Sequence, residues 1–157
     1  MKRTAPKTTS PGTKLVCQNK KARHDYFIVE EMEAGLVLKG TEVKSLRLGR
    51  ANLKDSYAKI QKGEVWVHNA HIAEYPFSHY GNHDPTRPRK LLLHASEIKR
   101  LIGKTQKSGL TLIPLSIYFS HGKAKMKVAL ARGKKKYDKR ESIKRRDQKR
   151  DMEREMK

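Results

Sequence analysis

The last 26 residues, Arg132 to Lys157, set the strongest limit on how this chain folds. They hold 13 Lys and Arg against 6 Asp and Glu, and only Tyr137, Ile143, Met152 and Met156 are large and apolar. Such a segment buries too little apolar surface to offset the entropy of ordering it. The hydrophobic core must therefore come from the residues before it. The tail is expected to be disordered when free and to order on a partner. Its cations concentrate at Gly133-Lys134-Lys135-Lys136-Tyr137-Asp138-Lys139-Arg140, so that partner should be a polyanion.

The formal net charge of +21 divides evenly, with an excess of seven in residues 1–24, seven in 25–131 and seven in 132–157. This predicts one modest domain, 15–131, between two basic arms, 1–14 and 132–157. A field of this strength steers a chain toward nucleic acid. An anionic membrane surface is a poor alternative. No stretch approaches the ~18 apolar residues of a spanning helix, and the tail lacks the apolar face of an interfacial one. The opening residues contain no apolar run of a secretory signal. The single Cys17 leaves no intramolecular disulfide and suits a reducing compartment, so the protein is expected to be cytoplasmic.

Along the chain, residues 1–14 are rich in Thr, Pro, Lys and Ser and read as disordered. The first strand is expected from Tyr26, interrupted by a turn at Glu33-Ala34-Gly35 and resuming at Leu36-Val37-Leu38. Thr41 to Leu48 has the spacing of a short helix with a basic edge carrying Lys44 and Arg47. Ser56–Gln61 and Glu64–His68 read as a hairpin around Lys62-Gly63, with Tyr57 and Ile60 inward. A long loop follows over 75–90. Leu91-Leu92-Leu93 looks buried by composition. A helix capped by Ser96 carries Ile98, Leu101 and Ile102, and Gly103 weakens or ends it. Leu110–Phe119, with Pro114 marking an edge or bulge, and Ala124–Ala131 form a final hairpin through Ser120-His121-Gly122-Lys123. Lys123, Lys125 and Lys127 share one face of its last strand, which is either an RNA-binding row or a solvated surface.

Sequential strands joined by hairpins favour an antiparallel sheet. In a domain this small, closure protects the edges. The expected fold is mainly β: an OB-like antiparallel barrel of about six strands with two or three short flanking helices.

Catalytic motifs are missing from the sequence. There is no phosphate-binding G-x-x-x-x-G-K-[ST] loop and no G-x-S-x-G elbow. Cys17 lies among cations that would lower its pKa, but it reads as incidental. His68 and His71 point to opposite faces of a strand, and His79 and His83 lack two further ligands, so neither a metal nor another cofactor is expected. Binding residues are plentiful. Asn19-Lys20-Lys21-Ala22-Arg23-His24 is a compact donor set able to clamp a phosphate backbone; the alternative is a solvated lead-in. Glu33 could orient an Arg, accept a hydrogen bond from a base, or simply occupy a turn. Tyr137 is an aromatic among cations, suited to stacking on a base. Glu141 and Arg145 form an i,i+4 pair in the favourable order, giving the tail latent helicity that phosphates would release.

Several runs carry a resemblance: Asn19-Lys20-Lys21-Ala22-Arg23-His24-Asp25-Tyr26, Glu33-Ala34-Gly35-Leu36, Gly40-Thr41-Glu42-Val43-Lys44-Ser45-Leu46-Arg47, Asp84-Pro85-Thr86-Arg87, Arg89-Lys90-Leu91-Leu92-Leu93 and Gly133 to Arg140. In this order they resemble the SsrA-binding protein family (small protein B). The resemblance implies an OB-like barrel that binds the tRNA-like domain of transfer-messenger RNA. It also implies delivery of that RNA, with elongation factor Tu, to stalled ribosomes. The tail would then probe the decoding centre and the empty message channel of the small subunit, becoming helical there. No catalysis is implied, and a monomer is expected.

By that match, Asn19, Glu33, Lys90 and Leu92 belong to the surface that meets the RNA elbow. Lys21, Arg23, Lys44 and Arg47 join them from the basic runs. The decoding-centre segment comprises Gly133, Lys134, Lys135, Tyr137, Asp138, Lys139 and Arg140, with Ile143 beyond it. Some family members have His where this chain has Tyr137. A general ribosomal or single-strand-binding OB protein is the second reading, and an RNA-processing enzyme, for which the sequence nominates no catalytic group, is the third.

Overall fold

The computed structural model describes residues 12–156. The expected arm 1–14 lies mostly outside them. What is described of it begins β1 (Thr13–Gln18), a strand not anticipated because Leu15-Val16-Cys17 is too short an apolar run to reveal a period. Next come α1 (Ala22–Asp25), β2 (Tyr26–Leu36), α2 (Gly40–Arg47), β3 (Ala51–Asn52) and β4 (Tyr57–Gln61). The chain continues through β5 (Glu64–His68), β6 (His71–Ile72), β7 (Arg89–Leu92), α3 (Ala95–Ser108), β8 (Thr111–Ser120), β9 (Lys123–Gly133) and α4 (Lys136–Glu155).

All strand pairings are antiparallel. In the order β8-β4-β5-β7-β2-β9, with β9 returning to β8, six strands close into a ring, as expected. Strand β8 makes closure possible. Its Leu112 pairs with Ala58 of β4, while its Ser116–Ser120 half pairs with β1 on the same edge. Two turns set local register. Lys62-Gly63 and His121-Gly122 each place two consecutive residues at positive φ (49° and 73°; 50° and 76°), the geometry that matches the twist of hairpin strands. The bulge expected at Pro114 is present, as a register shift between Pro114 and Ser116.

The ring encloses Val65, Val67, Leu91, Leu112, Ile117, Met126, Val128 and Leu130, joined by Leu46 of α2 and Leu101 of α3. Each such side chain contributes roughly 1.5–3 kcal/mol on burial. Ile113, Leu115, Ala129 and Ala131 form a second, smaller cluster with Ala22 of α1. Strands β8 and β9 are thus buried on both faces near the root of α4.

Several local expectations fail. Glu33-Ala34-Gly35 is not a turn: β2 runs unbroken for 11 residues, paired with β9 and at its end with β7. In β4 Tyr57 is exposed and Ala58 points in, because the pleat cannot turn Tyr57 and Ile60 the same way. Leu92 is 53% exposed, since it alternates with the buried Leu91. Helix α3 starts from His94, not Ser96, with the His94 N–H donating to Glu97 at 2.9 Å. It passes through Gly103 and stops at Gly109, which takes a left-handed conformation (φ 58°).

Residues 136–155, expected to be disordered when free, form a helix with no buried residue. Local terms supply it: the Lys135 N–H donates to Asp138 at 3.1 Å, and Arg145 approaches Glu141 at 3.9 Å.

Candidate nucleic-acid interface

On the outer face of β2 and β9, acids and lysines stand opposite one another. Glu33 pairs in register with Lys127, and Gly35 with Lys125. Lys125 Nζ donates to Glu33 Oε1 at 2.6 Å, and the Tyr118 hydroxyl donates to Glu33 Oε2. These two hydrogen bonds, Lys125 first, hold the Glu33 carboxyl below its ordinary pKa against the opposing effect of burial. Burial, then Glu33, raises the Tyr118 phenol. Among the described residues Glu33 orients no Arg; its partners come from β8 and β9, far away in sequence. Next to it, Leu92 stands over Gly35, where an added Cβ would lie 3.2 Å from the Leu92 Cβ. Glycine lets β7 and β2 close together and leaves the Leu92 side chain outside. Lys90 pairs with Glu64 at 2.7 Å.

The surface continues toward α1. Arg23 binds Glu31 at 2.6 Å, and Lys127 lies 3.7 Å from the same carboxylate. Asn19 is bound to the barrel: its backbone N–H donates to Leu115 O at 2.7 Å and its Nδ2 to Pro114 O at 3.1 Å. It clasps the β8 bulge and so positions Lys21 and Arg23, both exposed.

In α2, Glu42, Ser45 and Leu46 are buried, which leaves Lys44 and Arg47 on the outer side. Glu42 and Arg89 are fully buried, a pairing the sequence did not suggest. Glu42 accepts from Arg87 Nε (2.7 Å) and Nη2 (2.6 Å), from Arg89 Nε (2.7 Å), and from the Lys39 N–H (2.7 Å). Arg89 donates onward to Ala70 O at 2.5 Å and Pro85 O at 3.0 Å. Burial alone would raise the Glu42 pKa; the Arg87, Lys39 and Arg89 hydrogen bonds outweigh it and bring it to about 2. The long loop is thereby tied to α2 and β7. His83, also buried, bridges Thr41 and Ile72 O at 2.9 Å each. The only trace of this hub in the sequence was that Glu42, Arg87 and Arg89 all lay within the recognised runs.

The tail segment leaves the barrel where Gly133 pairs with Tyr26. The Lys134 N–H donates to Asp25 O at 2.8 Å, and its ammonium sits 4.8 Å from the Phe27 ring centre. Lys139 reaches Asp25 at 3.4 Å. Lys135 and Asp138 form the helix start. Tyr137 is 69% exposed and donates to Glu141 at 2.9 Å, while Arg140 and Ile143 face solvent. The structure therefore joins the two groups of candidate residues through α1. Lys44 and Arg47 lie on α2, which follows β2 at the end where Gly35 and Leu36 pair with β7.

Among the described residues no cluster of His, Cys, Asp and Glu has the arrangement of a metal site, and no helix is long and apolar enough to cross a membrane. Cys17 is not activated by its basic neighbours: burial raises its pKa to about 11, outweighing a hydrogen bond from the Ile117 backbone.

The fold and its charge define a class: a small basic β-barrel with a cationic helical arm, built to present a surface to nucleic acid. Residues 16–157 match the family model described as SmpB protein. The chain belongs to the SmpB protein family. It is 64% identical over 147 residues to an SsrA-binding protein of Syntrophobacter fumaroxidans (strain DSM 10017 / MPOB), covering 94% of this chain and 91% of that one. It is 62% identical over 141 residues to an SsrA-binding protein of Desulforudis audaxviator (strain MP104C), covering 90% and 92%. A chain of a solved structure described as "tmRNA-SmpB: a journey to the center of the bacterial ribosome" matches with a TM-score of 0.65 at 50% identity, over 81% of this chain and 93% of that one.

Proposed function

We propose that this protein is a non-enzymatic RNA-binding adaptor of trans-translation. It binds the tRNA-like domain of transfer-messenger RNA, brings it to stalled ribosomes, and reads the vacant message channel with its C-terminal arm. The observation that carries this reading is 64% identity to an SsrA-binding protein across nearly the whole of both chains. The geometry supports a division of labour. The rigid face with Glu33, Lys90, Leu92, Arg23 and Lys21 suits a folded RNA, whose shape and phosphates it would meet. The arm, helical and unburied, suits a narrow RNA channel. Gly133 to Arg140 would lie at the decoding centre, with Tyr137 stacking on ribosomal RNA. A channel filled by message would exclude the arm sterically, so sensing needs no catalysis.

On this reading the protein works in the cytoplasm, as a monomer, beside elongation factor Tu on the charged RNA. Residues 15–131 act as the RNA-binding unit and 132–157 as the sensor. The test is truncation after Lys134, which keeps the β9 pairing of Arg132 and Gly133 intact. Affinity for transfer-messenger RNA should stay within a few fold while tagging of stalled peptides disappears. Continued tagging would sink the sensor role. In competition at physiological salt, equal preference for duplex and tRNA-like RNA would sink the adaptor role in favour of a general binder.

A further inference from the structure

The loop between β6 and β7 carries a feature outside the surface described above. Against the start of α2 it forms a cleft of about 540 Å³ lined by Lys39, Lys44, Tyr75, Phe77, Tyr80 and Asn82, among others. Phe77 and Tyr80 are 67% and 102% exposed, unusual for two aromatic residues three apart. They stand on a built loop. Asn82 clasps Tyr75 in both directions, its Nδ2 donating to Tyr75 O at 2.8 Å and its Oδ1 accepting from the Tyr75 N–H at 3.0 Å. The Ser78 hydroxyl donates to Gly81 O. Phe77 packs edge-on against Tyr75 with ring centres 5.6 Å apart, and the Lys44 ammonium lies 5.4 Å from the Tyr75 ring centre. At the loop base, Ile72 and His83 are tied by a buried hydrogen bond, and the Lys39 N–H is held by Glu42.

Flat aromatic faces beside two lysines, with no carboxylate among the described lining residues, select an occupant that is both aromatic and anionic. We infer that this cleft is a single-stranded RNA site, taking one unstacked nucleobase against Phe77 or Tyr80 with its phosphate toward Lys44 and Lys39. The site lies beyond the Leu36 end of β2, whereas the arm leaves from the Tyr26 end. The two ends are ten residue steps apart along the 11-residue β2, on the order of 30 Å. A bound strand here would be a second anchor, at the end of β2 opposite the arm. Only Lys44 is shared with the expected elbow surface, so the inference stands independently of which folded RNA that surface meets.

The test uses the full chain carrying Tyr137→Ala, which removes the arm's own exposed ring. It is titrated with fluorescent hexauridylate and with an abasic ribose-phosphate hexamer of equal charge, at about 0.15 M salt. The base-bearing probe should bind roughly five- to hundredfold more tightly, the range that base–aromatic stacking supplies. Phe77→Ala/Tyr80→Ala should abolish that preference. Lys44→Ala should weaken both probes. As a readout free of folding effects, 4-thiouridine in the hexamer should photocrosslink to the peptide holding Phe77 and Tyr80. Equal affinity for the two hexamers, or crosslinks confined to α4 and β9, overturns the inference. That is also the outcome expected if the patch docks a protein.

Discussion

Arg89 Nε lies 2.7 Å from Glu42 Oε1, and neither side chain has any exposed surface. Arg87 completes the cluster at 2.6 Å on the other carboxylate oxygen. Buried charges are tolerable only when paired and fully hydrogen-bonded, and removing one partner strands the rest. Glu42→Gln should therefore cost about 3–5 kcal/mol in urea denaturation. A loss under about 1 kcal/mol would put the pair on a par with exposed bridges.

The same group sets an acid limit. Its folded pKa of about 2 lies below its ordinary value of 4.5, so its contribution is complete above about pH 4.5 and disappears as pH falls toward 2. At about 1.4 kcal/mol per pKa unit the difference is about 3 kcal/mol. Urea midpoints should fall steeply between pH 4.5 and 2.5 in the parent. In Glu42→Gln that part of the slope should be missing. Parallel slopes would assign the acid sensitivity to other carboxylates.

Tyr118 and Lys125 hold the two oxygens of Glu33. If the orientation of that carboxylate matters for RNA, Tyr118→Phe should weaken transfer-messenger RNA binding about three- to tenfold, in line with one hydrogen bond. Glu33→Gln should weaken it as well. Unchanged affinity in both variants would leave Glu33 a surface residue of the barrel with no part in recognition.

Gly35 and Leu92 are neighbours across β2 and β7, and a methyl group on Gly35 would stand 3.2 Å from the Leu92 Cβ, close enough to push the strands apart. Gly35→Ala should destabilise by about 1–3 kcal/mol through crowding. Leu92→Gly, which removes the Cβ that the new methyl would meet, should relieve most of that cost, giving a clear coupling in the double-mutant cycle. Additive effects would show that the strands part without strain.

Asp25 ties the arm to the barrel through Lys139. Its carboxyl is held below its ordinary pKa by His24 first and Lys139 second. Because the pair is partly exposed, Asp25→Ala should cost under about 1 kcal/mol globally. Amide exchange in the first turn of α4 should nevertheless speed up severalfold. Protection equal to the parent would mean that Lys134 and the Lys135–Asp138 cap hold the helix without Asp25.

The parts of this fold that could be read from the sequence were those set by neighbours along the chain. Strand β9 alternates Lys and apolar residues, and both I′ turns carry a glycine where positive φ is needed. Pro114 announced its bulge. Strand β2 misled because Glu33, Ala34 and Gly35 have turn composition, and only pairing with β9, joined by β7 at Gly35, makes them strand. Leu92 looked like core within a leucine run, until the pleat placed it outside. The α4 helix was legible in part, since the Glu141–Arg145 spacing already gave the tail latent helicity. Its caps and ion pairs are local, but the charge excess argued against order.

By itself, the sequence determined where the core could not be, how the charge divides into thirds, and the runs that resemble a known family. These depend on composition and short spacing. Tertiary structure alone decided which charges are buried and whom they meet. Glu42 finds Arg89 across 47 residues, and Glu33 finds Tyr118 and Lys125 across 85 and 92. Barrel closure brings such distant positions together, and no local pattern encodes that closure. The tail thus begins as a segment with no claim on the core and ends as a helix with a defined root, since closure places Asp25 and Phe27 beside Lys134 and Lys139.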